Sequence, residues 1–303
     1  MTAAIERAAN ELDAILLGKS RQVRLSLCCL LAGGHLLIED IPGMGKTTLA
    51  HALAGVLGLS YNRIQFTSDL LPADVLGFST YDAQAGDMLF HPGPVFSQLV
   101  LADEINRASP RTQSALLEAM EERQVSIEGR TRPLPSPFFV IATQNPLEQG
   151  GTFPLPESQL DRFLMRLNLG YPHASAEREL LMGRDRRSLT SALTPLLDTR
   201  DLEGLQQKVE TITASESLLD YLQRILHFTR ELPGVRYGLS PRAGLGLLRA
   251  ARAWAMMEGR DYVLPEDIQS VLPNVVEHRL VLEHKDSAVP VSRQIMDQVP
   301  VLV

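Results

Sequence analysis

The sequence predicts an open, parallel α/β sheet followed by a helical domain, with the boundary near Gly170-Tyr171-Pro172. Three observations carry this expectation. The apolar run HLLIE (35–39) enters a glycine-rich loop and continues as a helical stretch, KTTLAHALAGVLG, closed by Gly58. Further buried-strand patterns recur in SQLVLADE, FFVIATQ and RFLMRLNL, with the helical SALLEAMEE after the first of them. Beyond Gly170 no buried strand is evident, and ASAERELLMGR, SESLLDYLQRILHFTRE, RAGLGLLRAARAWAMM and PEDIQSVLPNVVEHRLV all read as helices.

The remaining elements follow in order. Residues 2–32 read as two helices, the first with Ile5, Ala8, Leu12 and Leu16 spaced three or four apart. Gly18 separates them and Gly33-Gly34 ends the second. YNRIQF (61–66) is a second strand. The connection from Thr67 to Val95 is long and rich in Gly, Pro and Asp, which marks it as functional. Its centre, FSTYDAQAGDMLF, suits a hairpin, as does QVSIEGRTRPL around Glu128-Gly129.

Composition excludes several classes. A formal net charge of -7 argues against a dominant surface for nucleic acid or anionic lipid. The only cysteines, Cys28 and Cys29, are adjacent, so they suit neither an unstrained disulfide nor a metal site and read as buried thiols in a reducing compartment. The seven histidines show no ligand spacing. The amphipathic, acidic N-terminus is not a signal peptide. No apolar run reaches the roughly 20 residues that span a bilayer. A soluble, cytoplasmic chain without membrane insertion is expected.

The chemistry concentrates at strand ends. In EDIPGMGKTTLA (39–50) the pattern G-x-x-x-x-G-K-[ST] is met except that Asp40 replaces the first glycine. Gly43 and Gly45 let backbone N–H groups approach phosphates, Lys46 reaches the β/γ oxygens, and the Thr47 hydroxyl ligates Mg²⁺. In LVLADE the acids Asp103 and Glu104 end an apolar strand, where open α/β sheets bind ligands. One can hold Mg²⁺ through water and the other can polarise an attacking water. Asn145, after FFVIATQ, can orient that water. A carboxylate aimed at a triphosphate would repel it, so Asp40 is expected to point to backbone donors or solvent, in a turn whose unusual backbone angles Asp tolerates.

Together PGMGKT, GPVFSQLVLADEINRA (93–108), ATQNPLEQGGTFPLPESQLDRFLMR (142–166) and YVLPEDIQSVLPNVVEHRLVL (262–282) resemble MoxR-type AAA+ ATPases, from about Leu17 to about Leu282. The resemblance implies an AAA+ P-loop NTPase core at 1–170, its sheet sandwiched by helices, and an all-helical lid at 171–303. Thr67–Val95 then matches the helix-2 insert, and QVSIEGRTRPL the pre-sensor-1 hairpin. Asp103 and Glu104 match Walker B, with Asp103 on the metal and Glu104 catalytic, and Asn145 matches sensor 1. Arg162 matches an arginine finger reaching a neighbouring subunit's γ-phosphate, and Arg242 a sensor 2 over its own subunit's nucleotide. Pro42, Met44 and Thr48, with Leu17 and Gly18, would complete the nucleotide site.

A trans-acting arginine requires head-to-tail packing, and the family implies a hexameric ring. It also implies ATP and Mg²⁺ as cofactors, chaperone-like remodelling of client complexes, and a von Willebrand factor A partner. The chain shows no D-x-S-x-S motif, so that partner is expected as a separate polypeptide. Two other classes stay open: a motor on nucleic acid, disfavoured by the acidic balance, and a nucleotide switch with little turnover. Asp69 and Asp74 are expected to cap short helical turns rather than touch a substrate. Arg107 either crosses an interface or forms a salt bridge within the chain.

Overall fold

A computed structural model describes residues 2–84, 86–146, 150–183, 193–282 and 289–301. Helices α1 (Thr2–Ile15) and α2 (Ser20–Leu31) precede strand β1 (Leu36–Glu39). The predicted stripe Ile5, Ala8, Leu12 and Leu16 is buried. The chain continues through α3 (Lys46–Val56), β2 (Tyr61–Gln65) and the short α4 (Pro72–Leu76). A hairpin, β3 (Gly77–Asp82) with β4 (Asp87–Pro92), leads into β5 (Leu99–Asp103) and α5 (Pro110–Glu122). A second hairpin, β6 (Gln124–Ile127) with β7 (Arg130–Pro133), precedes β8 (Phe139–Gln144), α6 (Glu157–Leu160) and β9 (Met165–Leu167).

The five core strands pair in parallel in the order β2-β5-β8-β1-β9. Period-two alternation sorts their side chains onto two faces. Leu36, Ile38, Leu99, Leu101 and Ile141 join the cluster that includes α1, α2, α3 and the lid. Leu37, Val100, Ala102, Val140 and Ala142 join the cluster under α5. With both faces covered, β5 and β8 have no need of polar alternation, which is why they read as continuous apolar runs.

Past Gly170 come α7 (Ala174–Leu181), α8 (Thr199–Thr211), α9 (Glu216–Glu231), α10 (Pro241–Met257), α11 (Pro265–Val276) and α12 (Val291–Gln298). The lid also carries a feature absent from the sequence reading, an antiparallel ribbon of β10 (Val235–Tyr237) and β11 (Val281–Leu282). Neither strand is fully buried, so their sequences lack the apolar density of a core strand.

The lid is fastened to the core beside β9. Asn274 donates to the carbonyl of Arg166 (3.0 Å), and His278 Nε2 meets the backbone carbonyl of Phe163 (2.9 Å). Arg279 pairs with Asp161 (2.7 Å) and donates to the carbonyls of Phe163 (2.8 Å) and Leu164 (2.9 Å). The two hairpins are also joined, by the Arg132 guanidinium 3.9 Å from the Phe90 ring centre. In the insert, Asp74 accepts from the N–H of Leu71 (2.8 Å) and so caps α4. The exposed Asp69 carboxyl is held below its usual range by a hydrogen bond from Thr67.

Candidate functional site

The glycine loop joins β1 to α3 at the carboxyl ends of the strands. Gly43 and Gly45 have φ of +86° and +94°, a region that favours glycine. A side chain at Gly43 would meet nothing within 4 Å, so its absence leaves open space beside the backbone. Gly45 is the N-cap of α3 and supplies no side-chain acceptor to the first turn. The positive end of α3 therefore faces the loop's interior, the arrangement that receives phosphate. Lys46 lies in the same concavity, its ammonium on the carbonyls of Asp40 (2.6 Å) and Ile41 (3.3 Å).

Asp40 turns away from this interior. Its carboxylate accepts from the N–H of Ile41 (2.9 Å) and of Gly170 (2.6 Å), and it is buried. Lys19 lies close by and donates to the carbonyls of Leu169 (2.7 Å) and Gly170. Burial lowers the Lys19 pKa, and the Asp40 charge opposes that shift. The expected reason for an acid here was backbone tolerance. That part is corrected, because Asp40 is not among the non-glycine residues with positive φ. Its role is to tie the loop's entry to the first turn beyond β9.

Asp103 and Glu104 end β5, one strand from β8. Thr143 joins them: its hydroxyl donates to Asp103 (2.6 Å) and accepts from the N–H of Glu104 (2.9 Å). Glu104 has φ +57°, unusual for a side chain of this size, so the turn that presents its carboxylate is held against local strain. Both acids carry cationic or amide partners. Arg63 binds Asp103 at 2.7 Å, while Arg107 (3.0 Å) and the Gln65 amide (2.9 Å) share one oxygen of Glu104. Of the two readings of Arg107, the structure shows the salt bridge within the chain. Asn145 lies buried at the end of β8, the strand between the loop strand β1 and β5.

Beside the loop, a cavity of about 450 Å³ is lined by Leu16, Leu17, Met44, Tyr171, Pro172 and Leu180, with Gly43, Gly45 and Thr48 at its loop end. Apolar walls next to a phosphate cradle suit a nucleotide's base and ribose. Gly18 stands behind this wall; a side chain there would come within 3.1 Å of His173 at the start of α7. Pro42 and Thr47 lie within the loop and the first turn of α3. For Mg²⁺ the donor set is hard oxygen, the Thr47 hydroxyl and the Asp103 carboxylate, and it fits the ion. Among the described residues no cluster of three His, Cys, Asp or Glu side chains could hold a metal.

A second cavity, about 310 Å³, lies between core and lid. Arg123, Arg162, Arg242, Arg249 and Arg279 line it against two carboxylates, Glu121 and Asp161. Arg162 binds Glu121 at 2.7 Å and the Leu117 carbonyl at 2.6 Å, and Arg242 takes the other Glu121 oxygen at 3.0 Å. Arg242 therefore stands with Arg162 in this second cavity and does not line the cavity beside the glycine loop. The lid's attachment explains this placement. Asn274, His278 and Arg279 anchor the lid beside β9, and Gly246 of α10 packs against Leu164, where a side chain would reach within 3.1 Å. That brings the first turn of α10 to the C-terminal end of α5.

Comparison with known proteins agrees with this geometry. Residues 35–165 match the ATPase family associated with various cellular activities (AAA), and residues 227–299 match an AAA lid domain. The chaperone MoxR1 of Mycobacterium tuberculosis is 43% identical over 96% of this chain and 79% of its own length. This chain belongs to the MoxR family of AAA+ ATPases. The protein MoxR of Paracoccus denitrificans is 38% identical over 91% of this chain and 88% of its own. YeaC of Bacillus subtilis, an uncharacterised protein, is 45% identical over 98% of this chain and 94% of its own. A crystal structure from Cytophaga hutchinsonii, of a protein assigned as an ATPase, superposes with a TM-score of 0.91 at 36% identity, covering 99% of this chain and 95% of that one.

Several residues of this MoxR-type site were not visible to motif reasoning. Thr143 had a signal, a lone polar residue within an apolar strand and two positions before Asn145. Arg63 and Gln65 sit on alternate positions of β2 and so share a face, but nothing in YNRIQF marks which strand they adjoin. Glu121 is one of several acids on α5, and only its partners distinguish it.

Proposed function

We propose that this MoxR-type protein binds ATP with Mg²⁺ and hydrolyses it in a head-to-tail ring of six copies, remodelling client protein complexes. The observation that carries the reading is the separation of parts. Loop, Asp103 and Glu104 share one end of the sheet, while Arg162 and Arg242 stand together in another cavity. Arginines placed there serve phosphates brought by another copy of the chain, and an asymmetric contact of that kind closes as a ring.

Within one copy, the N–H groups of Gly43, Gly45 and the first turn of α3 cradle the phosphates, and Lys46 leaves its carbonyl partners for their oxygens. Thr47 and Asp103 hold Mg²⁺, which neutralises phosphate charge when bound. Thr143 fixes the Asp103 carboxylate and, through the Glu104 N–H, the turn beside it. Glu104 orients and polarises the attacking water once its Gln65 and Arg107 contacts yield, with Asn145 as a hydrogen-bond partner for that water. Arg162 and Arg242, from the neighbouring copy, stabilise the charge that develops on the transferred phosphoryl group.

On this reading the nucleotide core is residues 1–170 and the lid 171–303. The exposed Phe78, Tyr81 and Leu89 of the β3–β4 hairpin give the insert an apolar surface for a client. The chaperone label of the tuberculosis relative supports the remodelling role, and a separate von Willebrand factor A protein supplies client choice. No helix among the described residues is long and apolar enough to cross a membrane, and the proposed site of action is the cytoplasm.

Mixing variants tests the reading. Glu104→Gln should bind ATP but scarcely turn it over, and Arg162→Ala should also be slow. Mixed rings of the two should recover part of the activity, because one interface then combines an intact Glu104 with an intact Arg162. Verified mixed rings without recovery would refute action in trans.

A further inference from the structure

Glu121 is the carboxylate that joins a core arginine to a lid arginine, with one oxygen for each guanidinium: 2.7 Å to Arg162 and 3.0 Å to Arg242. We propose that Glu121 is a positioning residue for phosphoryl transfer, holding Arg162 and Arg242 side by side at the face that meets a neighbour's triphosphate. The inference rests on the trans reading above and deepens it.

Four features support the assignment. Two guanidinium groups repel each other, and a carboxylate between them allows both to occupy one small cavity. One carboxylate for two arginines still leaves a net positive charge for phosphate oxygens to meet. Asp161 does not change this, because it is already committed to Arg279 at 2.7 Å. Arg162 also donates to the Leu117 carbonyl at 2.6 Å, one turn before Glu121 on the same face of α5. Its guanidinium is thereby fixed at two points, which a lone flexible arginine could not achieve.

The supporting helix is itself anchored at the chemistry. Ser109 caps α5 only five residues after Glu104, and the Gln113 amide binds the carbonyls of Ile105 (3.2 Å), Ala108 (3.2 Å) and Phe153 (2.8 Å). From Pro110 to Glu122, α5 is about 20 Å of helix at 1.5 Å per residue. Glu121 therefore stands at the far end of a rod whose near end is fixed beside its own chain's Glu104. A positioning residue on that rod sets the arginine pair relative to the rigid core.

The test compares Glu121→Gln, Glu121→Asp, Arg162→Ala and the double variant Glu121→Gln/Arg162→Ala, each in the full chain. Steady-state ATPase, native mass and melting temperature are read for all four. Glu121→Gln should lose about tenfold in kcat, with KM for MgATP within about twofold and an unchanged oligomer. Glu121→Asp should recover part of that loss, and the two losses should combine to less than their product in the double variant, where only Arg242 remains for Glu121 to place. Wild-type or faster turnover in Glu121→Gln would overturn the proposal, since Glu121 would then restrain the arginines rather than place them. Losses that simply add in the double variant would overturn it too. If Arg162→Ala itself turns over normally, the trans reading fails. If Arg162→Ala is slow while Glu121→Gln is normal, only the role of Glu121 falls.

Discussion

Replacing Arg279 by alanine should both destabilise the protein and slow it. The side chain is 6% exposed and ion-paired to Asp161, which is 25% exposed. It also donates to the carbonyls of Phe163, Leu164 and Val275. Removing one member of a buried pair costs about 3–5 kcal/mol, and the partial exposure of Asp161 places this case near the lower figure. The freed carbonyls add to the penalty, so about 3–4 kcal/mol is expected. With an unfolding entropy of about 2 cal/mol/K per residue, a chain this long should lose roughly 5 °C in melting temperature. Differential scanning calorimetry reads that shift directly. Because Arg279 fixes residues on both sides of Arg162, ATPase activity should fall as well. Arg279→Lys keeps the charge without the fork of donors, so it should regain less than half of the lost stability. A melting temperature within 1 °C of wild type for Arg279→Ala would refute the claim that this ion pair fastens lid to core.

Two further outcomes follow from buried charge and hydrogen bonding. Asp40→Gly should keep ATP affinity within a few-fold in a nucleotide titration, because the carboxylate faces away from the phosphates. It should lower stability by about 1–3 kcal/mol, because the Gly170 N–H loses its acceptor. His35 accepts from the Val140 N–H at Nδ1 (3.0 Å) and meets the Met120 carbonyl at Nε2 (3.3 Å), so its neutral form fits, and burial pushes its pKa down to about 4. Between that value and the unfolded one near 6.5, the unfolded chain binds the extra proton. Stability is therefore full above the unfolded pKa and falls as pH drops. The loss should be about 2 kcal/mol from pH 7 to pH 5, read from urea midpoints. Buried His278, whose pKa is also lowered, carries the same sign.

The fold was largely legible because its signals are local. Strands β1, β5 and β8 are short apolar runs, and the loop's glycines stand where left-handed backbone is needed. The β10–β11 ribbon escaped because its residues are partly exposed and pair across a long sequence separation. Within the site, Lys46 could be named from the glycine loop before it, and Asp103, Glu104 and Asn145 from the strand ends they occupy or follow. Their counterparts could not. Arg63 meets Asp103 only through the pairing of β2 with β5, and Arg242 meets Glu121 only through the way the lid is fastened. The motif around Arg242 carries no information on where the lid attaches, so its meeting with Glu121 could not be read from it.

The two borders of the sheet limit how copies of this chain can associate. On one side Asn274 already occupies the Arg166 carbonyl of β9, and α11 packs against that strand. On the other side β2 presents exposed Asn62, Arg63 and Gln65, with the turn Pro94–Phe96 packed against it. Charge and proline are features that discourage edge-to-edge aggregation. Sheet extension is thus disfavoured at both borders. In the proposed ring, copies would meet through surfaces and side chains, contacts that can loosen and re-form without breaking a backbone ladder.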